Sequence, residues 1–462
     1  MHDTTSRQLV PFDAQTAVPQ LQELLLEVVE PTVSPPGEPT KPQRGRRREI
    51  SEAHLWLSLL WSVLLGMSSY ADWWRLFCTS WLGRFAPVRV SSDALVARLE
   101  QAGLEPLHRL AMAVSAHLAV RLASLSTTPL ASFATEIVAI DETTLDAVHR
   151  LLEPLKNVPK GHVALLAGKL ATRFNIRTQQ WDWVQFRSNV LGNCKLEVLT
   201  LLEGLALGSL LLFDLGYFSF AWFDYLDLMG YFYISRLREK TTYRIQHTYY
   251  RHEGILDAVI WLGSPKGARA GHAVRLVRFH DGQALRTYLT NVLDPSLLSM
   301  GDIARLYARR WDIELAFLTL KEHLGLHHWW SSKLELILQQ IWVVLIVAQL
   351  LQALRLQIAA QADVDVFEVS LPLLIKFVPQ LIRQRENPLE WVLTHGKHLQ
   401  IIRPSRRLHI LAPDIPLELL HPLPPDLPLV RKACYLEYQP RPGKPSKAKK
   451  KSLKPSSSPE IL

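Results

Sequence analysis

The residues from Tyr307 to Leu326 repeat their apolar positions with the period of an α-helix. Two apolar stripes flank a narrow polar row. The stripes are Leu306, Ile313, Phe317, Leu320 and Leu324 on one side, and Trp311, Leu315 and Leu318 on the other. The row is Tyr307, Arg310, Glu314 and Lys321. At about 100° per residue, with Glu314 as origin, the other three lie near +20°, −40° and −20°. A polar row bordered on both sides by apolar residues predicts a functional site.

The opposite face of this helix carries Arg305, Arg309, Asp312 and His323, which the pattern places in solvent. Helical periodicity also dominates from Ser51 to Leu125, with Ser92 or Asp93 as the predicted N-cap of one helix. Residues 1–49 are rich in Pro and in clustered charge. We therefore expect a flexible arm at 1–49 and a helical domain at 50–130.

Between Thr135 and Leu237 the pattern changes to short apolar runs separated by polar turns. The predicted strands are "EIVAID", "ATRFNI", "WDWVQFRSNV", "SLLLFD" and "YFYISRL". Two helices are predicted among them, "KLEVLTLLEGLAL" and "FAWFDYLDLMG". The expected order is three strands, a helix, a strand, a helix and a strand.

With the flanking segments included, the predicted fold class is mixed α+β. Residues 241–300 alternate and contain Gly and Pro, which predicts an inserted antiparallel β subdomain. We predict that residues 131–240 and 301–350 form the core of the fold and that 351–430 form a helical C-terminal region. A basic, disordered tail is expected at 431–462, where Pro and Lys dominate.

Composition supports a globular chain of two or three domains. The 462 residues are 48% hydrophobic and 21% charged. Cys78, Cys194 and Cys434 have no zinc or disulfide spacing, which favours a reducing cytoplasm. The apolar runs Leu55–Met67 and Ile341–Ala348 are shorter than the roughly 20 residues of a membrane span. We interpret both as buried helices and expect no membrane partner.

The net charge of +9 lies in two runs rather than in the folded body. The summed net charge of residues 41–48 and 440–462 is larger than the net charge of the whole chain. Such runs favour contact with a polyanion, most often nucleic acid. The alternative is that they are solubilising tails.

Two predicted strands end in aspartate, at Asp141 and Asp214. Carboxylates at the ends of central strands lie at the rim of a sheet, where sites form, although a turn or a helix cap would explain each one separately. With Glu314 they would repel one another unless a cation lay among them. Hard oxygen ligands suit Mg²⁺ or Mn²⁺, and two such ions can clamp a phosphodiester. Arg310 and Lys321 would then bind phosphate, although ordinary surface charge would also explain them.

The spacing of Tyr307, Arg310, Glu314 and Lys321 resembles the YREK motif of the IS4-type DDE transposase family. "DLGYFS" and "AIDETTL" resemble that family's elements around its two aspartates, although Glu142 replaces a residue that is often small. Asn291 and Trp311 also occupy matching places. The resemblance covers about residues 90–350.

The resemblance implies an RNase H-like catalytic core with a β insertion. Asp141, Asp214 and Glu314 would be the catalytic and metal-binding acids, holding two Mg²⁺ ions, with Mn²⁺ as a substitute. Tyr307, Arg310 and Lys321 would bind DNA phosphates. Members of the family cut double-stranded DNA at terminal inverted repeats and join the 3′-OH ends to target DNA. The implied enzyme is a homodimer on paired ends in a prokaryotic cytoplasm, associated with the nucleoid.

Two other functions stay open: an RNase H-like nuclease without strand transfer, and a catalytically silent DNA-binding protein derived from a transposase. His323 and His327 have the spacing of a metal pair, although a surface role is favoured. Trp261 would stack on an unpaired base or pack internally. Arg236 would reach the site or form a structural ion pair. No nucleotide-binding glycine loop is present, so ATP use is not expected.

Overall fold

The computed structural model describes residues 28–29, 31–32, 50–82, 85–122, 131–146, 166–187, 198–326, 328–331, 333–405 and 411–435. Most of the predicted N-terminal arm and the residues after 435 lie outside these ranges. His327 and Cys194 lie outside them as well.

Four helices form the N-terminal part of the described chain. They are α1 (Glu52–Leu64), α2 (Tyr70–Thr79), α3 (Ser92–Ala102) and α4 (Glu105–Leu122). Serines cap the first three, and the Ser51 side chain accepts a bond from the His54 amide at 3.1 Å. The cap of α3 is Ser91, so the prediction of Ser92 or Asp93 was wrong by one or two residues.

A nine-stranded mixed sheet follows in the order β3-β2-β1-β4-β5-β9-β8-β7-β6. The strands are β1 (Ile137–Asp146), β2 (Leu166–Asn175), β3 (Gln180–Arg187), β4 (Leu210–Leu212), β5 (Phe232–Arg236), β6 (Tyr243–His252), β7 (Ile255–Leu262), β8 (Val274–His280) and β9 (Leu285–Thr290). Only β1, β4 and β5 pair in parallel. The strands β6 to β9 are antiparallel and continue the same sheet, because β9 pairs with β5.

The five strands predicted before Leu237 are all present, and one differs in a way that matters for the site. Strand β1 runs on to Asp146 beside β2, so Asp141 lies within the strand and not at its end. The predicted helix before β4 is described only from Val198, as a short 3₁₀ helix ending at Leu202. The predicted second helix is α5 (Phe220–Leu228).

Alternation along the central strands creates two different faces. Ile137, Ala139, Leu210, Leu212 and Ile234 belong to the large helical core. The residues between them, Val138, Ile140, Leu211, Phe213 and Tyr233, belong to a second core that includes α5. Both faces are covered, which explains why these strands read as continuous apolar runs.

Helix α8 (Leu334–Gln361) is the longest described helix and lies in the centre of the large core. Its 28 residues are long and apolar enough to cross a membrane by length and composition. The predicted apolar run Ile341–Ala348 is therefore part of a much longer helix. Within the structure 78% of its most apolar window is buried, as expected for a central helix packed by protein. Helices α9 (Leu371–Arg383) and α10 (Pro388–His395) pack against it.

The segment 411–435 crosses the outer face of β7 and β8. The Arg269 amide donates to Cys434 O at 2.7 Å, and the Ala273 amide donates to Leu429 O at 2.8 Å. The Arg431 guanidinium stacks 4.4 Å above the ring of Trp261. Trp261 is only 5% exposed, so the hypothesis that it stacks on a DNA base was wrong.

Candidate active site

The parallel ladder between β1 and β4 aligns the first two acids. Its last pair is Ala139 opposite Leu212. Asp141, within β1, and Asp214, just beyond β4, each follow this pair by two residues and therefore lie at the same level. Both side chains point to the face of the large core, because side chains alternate along a strand.

A tight turn fixes Asp214 just beyond β4. Its Oδ1 accepts a hydrogen bond from the Gly216 amide at 2.7 Å and so caps a short 3₁₀ helix. A Cβ added at Gly216 would lie only 2.8 Å from that oxygen. A side chain at position 216 would therefore push the Asp214 carboxylate away from its present position. This geometry is compatible both with Asp214 as a helix cap and with Asp214 as a functional-site residue.

The predicted helix after residue 300 consists of three pieces. Helix α6 (Met300–Arg309) ends at Arg310, and α7 (Trp311–Leu318) continues from it into a π-helical turn, Thr319–His323. Arg310 keeps right-handed helical angles, so the axis is nearly continuous there. The π turn is wider than an α turn. The angular position predicted for Lys321 therefore does not apply.

Glu314 lies in the first turn of α7 on the face toward the sheet. Its Oε1 accepts a bond from an Arg310 terminal nitrogen at 2.7 Å. The Arg310 side chain is 8% exposed, and its Nε is buried with no hydrogen-bond partner among the described residues. A buried guanidinium with an unused donor is suited to receive an anion.

The flanks of the polar row differ from the prediction. Trp311, Leu315 and Leu318 are exposed, while the other stripe is buried in the large core. Asp312 was placed in solvent and is instead buried. It accepts bonds from Arg309 Nε at 2.8 Å and from Gln179 Nε2 at 2.9 Å. The Gln179 bond ties α7 to the β2–β3 turn, and the two bonds together explain why an acid occupies a buried position.

Electrostatics show that the three acids share one environment. Burial raises the pKa of Asp141 to about 7, and the negative charges of Asp214 and Glu314 add to the rise. The Glu142 amide, which donates to Asp141 at 2.8 Å, and the Arg310 charge oppose it. Carboxylates that repel one another favour a cation between them.

Tyr307 and Arg310 belong to the same environment. Burial raises the pKa of Tyr307 to about 12, against the opposing charges of Arg310 and Arg236, while Asp214 adds to the rise. Burial would lower the pKa of Arg310, but Tyr307 and Glu314 outweigh burial and raise it. Arg310 therefore carries its full charge inside the site. Lys321 lies in the π turn and is half-buried.

The donor chemistry of the site fits hard divalent ions, because three carboxylates supply only oxygen ligands. In the described ranges, however, no group of three or more His, Cys, Asp or Glu side chains converges closely enough to hold a metal ion. The reason is local: Glu314 is turned to Arg310 and Asp214 to the Gly216 amide.

The structure also bears on the predictions made for Arg236 and Glu142. Arg236 ends β5 directly opposite Tyr288 of β9, and its guanidinium makes no ion pair with any described residue. The hypothesis of a structural ion pair therefore finds no partner for Arg236 among the described residues. Glu142 points away from Asp141, to Arg187 and Lys169 at 2.5 and 3.5 Å. His327 of the predicted histidine pair lies outside the described residues.

Residues 133–350 match the family model described as the transposase DDE domain. The matched segment contains all three acids and the complete polar row. A cryo-EM structure of the piggyBac transposase synaptic complex with hairpin DNA is similar at 10% identity. That likeness covers 83% of each chain with a TM-score of 0.38, too low to support a conclusion. No curated protein matches the chain by sequence.

Sequence reasoning missed Arg286 and Tyr288 of β9, which lie beside the polar row. The rings of Tyr288 and Tyr307 are 5.1 Å apart. Alternation in "LRTYLT" does place Arg286 and Tyr288 on one face of β9. Which face that is depends on the pairing of β9 with β5, and the pairing is not readable from the sequence.

Proposed function

We propose that this chain is the DNA transposase of an IS4-type insertion sequence. It would cut double-stranded DNA at the terminal inverted repeats and join the 3′-OH ends to target DNA. The main observation is the shared environment of Asp141, Asp214 and Glu314 within the segment that matches the transposase DDE domain. The resemblance of the polar row to the YREK motif is the basis for proposing the IS4-type subfamily.

The sheet supports an RNase H-like core as part of this proposal. Three antiparallel strands, β3-β2-β1, are followed by the parallel strands β4 and β5. The antiparallel strands β6 to β9 come between β5 and α6 in the chain. We assign the core to 131–240 and 301–350 and the β insertion to 241–300.

Asp141, Asp214 and Glu314 would hold two Mg²⁺ ions, or Mn²⁺ in their place. Such ions, when bound, activate the attacking oxygen and stabilise the leaving oxygen in phosphoryl transfer. The protein groups position the phosphate. Burial places Asp141 in a low dielectric, where its interaction with a cation is strong.

Arg310 is the principal phosphate ligand of the proposal. Its terminal nitrogen is occupied by Glu314 at 2.7 Å, while its Nε is buried and unused. A phosphate would accept bonds from Nε and the second terminal nitrogen, which share one edge of the guanidinium and match the bidentate geometry that arginine offers. Glu314 is bound to the other terminal nitrogen and would turn toward the two aspartates to bind a metal ion. Tyr307 would donate its hydroxyl and Lys321 its ammonium to neighbouring phosphate oxygens.

The remaining assignments follow from the subfamily. The enzyme would act as a homodimer on paired element ends, in a prokaryotic cytoplasm and associated with the nucleoid. The basic runs at 41–48 and 440–462 would add sequence-independent contacts to the DNA backbone.

A joining assay with pre-cut ends tests the proposal. The substrate is a labelled duplex carrying the DNA that flanks this gene, and the target is a supercoiled plasmid with Mg²⁺. The proposal expects joined product with the wild type and none with Glu314→Gln, while end binding is retained. Glu322→Gln, an exposed acid in the same segment, is the matched control and keeps joining.

The assay also separates the alternative functions. Cleavage of the duplex without any joined product would support a nuclease instead. Binding with neither cleavage nor joining, in Mg²⁺ and in Mn²⁺, would support a silent DNA-binding protein. Joining that survives Glu314→Gln would overturn the assignment of Glu314.

A further inference from the structure

A cavity of about 460 Å³ lies beside the polar row, between α6 and the β8–β9 turn. It does not include the three acids. The side chains that matter for its chemistry are Arg236, Arg286, Tyr288, Tyr307, Arg310 and Trp311. Three of these six are guanidinium groups, and the rest are aromatic. Among the described residues, Asp281 is the one acid that lines the cavity.

The cationic groups of the cavity are incompletely used within the chain. Arg310 has its buried, unpartnered Nε, and Arg236 is exposed at the end of β5 without an ion pair among the described residues. Asp281 Oδ2 holds the Nε of Arg286 at 2.5 Å. With Glu314 bound to Arg310, two carboxylates meet three guanidinium groups, so the cavity keeps an excess of one positive charge and is suited to an anion.

The register of the sheet aligns these cationic residues with the two aspartates of the site. Asp214 follows β4 by two residues, and the β4–β5 pairing of Leu212 with Ile234 places Arg236 at its level. Tyr288 is paired with Arg236 on the next strand. A row therefore runs across the sheet from Asp141 through Asp214 and Arg236 to Tyr288. Neighbouring strands are about 4.8 Å apart, so Tyr288 lies roughly 10 Å from Asp214 along this row.

The electrostatics of Tyr288 agree with this arrangement. Burial raises the pKa of Tyr288, while the charges of Arg286 and Arg236 oppose the rise. Both guanidinium groups are therefore near one phenol at the base of the cavity. Trp311 is 51% exposed beside them, and Arg310 lies 5.2 Å from its ring.

We propose that Arg236 and Arg286 bind the DNA backbone at the phosphates next to the scissile one. The cavity would continue the contact made by Arg310 and lead the strand across β5 and β9 toward the β8–β9 turn. Asp281 would act as a positioning residue that holds the Arg286 guanidinium in the cavity. This inference rests on the proposed function and adds two contacts that the YREK resemblance does not contain.

Salt dependence of DNA binding tests the inference without requiring catalysis. The probe is a fluorescent duplex of mixed sequence, titrated with the full chain in EDTA at several salt concentrations from 50 to 200 mM. Each phosphate contact on a duplex adds about 0.9 to the slope of log K against log salt. We expect Arg236→Ala and Arg286→Ala each to reduce the slope by about 0.9. Over that range, the affinity of each variant would therefore fall by a factor about threefold smaller than the factor for the wild type.

Arg251→Ala is the matched control, because Arg251 is an exposed arginine on the outer edge strand β6. It is expected to leave the slope unchanged. Arg236→Lys keeps the charge and should retain most of the slope, which separates a contact from a structural effect. Thermal unfolding of each variant checks that the fold is retained, and Arg286→Lys replaces Arg286→Ala if the latter unfolds.

The outcomes distinguish this inference from the proposed function. Equal slopes for Arg236→Ala, Arg286→Ala and Arg251→Ala would overturn the inference, even if the wild type joins DNA ends. A wild type that binds no DNA or joins no ends would instead contradict the proposed function. Slope changes confined to the Arg236 and Arg286 variants would support the inference.

Discussion

Asp141 and Asp214 lie at the same level of the sheet because each follows the last parallel pair, Ala139 and Leu212, by two residues. The two carboxylates therefore share one face of the sheet. Glu314 approaches that face from α7, and its charge reaches Asp141.

The first prediction concerns the stability of the metal-free protein. Asp141 has a pKa near 7 in the folded chain, above its ordinary value of 3.8. Since the unfolded chain loses this proton first, rising pH between about 4 and 7 favours unfolding. The loss amounts to about 4 kcal/mol at most. Asp141→Asn, which cannot ionise, should escape it.

Urea unfolding in EDTA at pH 4 and pH 8 measures this effect. Wild type and Asp141→Asn should have similar stability at pH 4, and the variant should be the more stable at pH 8. Mg²⁺ should raise the wild-type stability at pH 8 and leave the variant less affected, because binding to the folded state alone is stabilising. A stability difference independent of pH would contradict the prediction.

The second prediction concerns Arg310. Arg310→Lys keeps the charge but loses the planar fork that reaches Glu314 and the phosphate. We expect the joining rate to fall by about 10²-fold, as for the loss of one preorganised donor. The rate is measured with saturating DNA, so that weaker binding does not contribute. Arg305→Lys, on the exposed face of α6, is the control and should keep its rate.

The third prediction concerns Gly216. Gly216→Ala would bring a Cβ to 2.8 Å from Asp214 Oδ1 and displace that carboxylate from its position. Joining should be largely lost, while urea unfolding changes by less than about 2 kcal/mol. Gly301→Ala is the control, because its nearest neighbours would lie 3.8 Å away. Unchanged joining in Gly216→Ala would show that Asp214 does not need this turn.

The fourth prediction concerns the buried pair Arg275–Asp257 in β8 and β7. The guanidinium donates twice to Asp257, at 2.7 and 2.6 Å, and once to Leu298 O at 2.6 Å. Its side chain is fully buried. Asp257→Ala would leave this charge unpaired and should cost about 3–5 kcal/mol of the free energy of unfolding.

Asp302→Ala, which removes an exposed partner of Arg305, is the comparison and should cost about 1 kcal/mol beyond any loss of its helix cap. Chemical denaturation followed by tryptophan fluorescence measures both variants. Similar losses for the two would contradict the distinction between buried and exposed pairs.

Local pattern in the sequence determined the strands and the polar row. Apolar runs such as "SLLLFD" predicted β4 because a strand covered on both faces needs apolar residues at every position. The offsets of Tyr307, Arg310 and Glu314 predicted a shared helix face, and these three residues do act on one another. Both results depend only on periodicity, which is a property of neighbours along the chain.

Tertiary structure decided which residues meet across the sheet. Periodicity could not place Arg286 and Tyr288 beside Tyr307, because that depends on the register of β9 with β5. It put Asp312 in solvent, whereas long-range bonds from Gln179 bury it. It also could not foresee the π turn that rotates Lys321. Register, buried ion pairs and helix irregularities arise from contacts between distant segments, so only the folded chain contains that information.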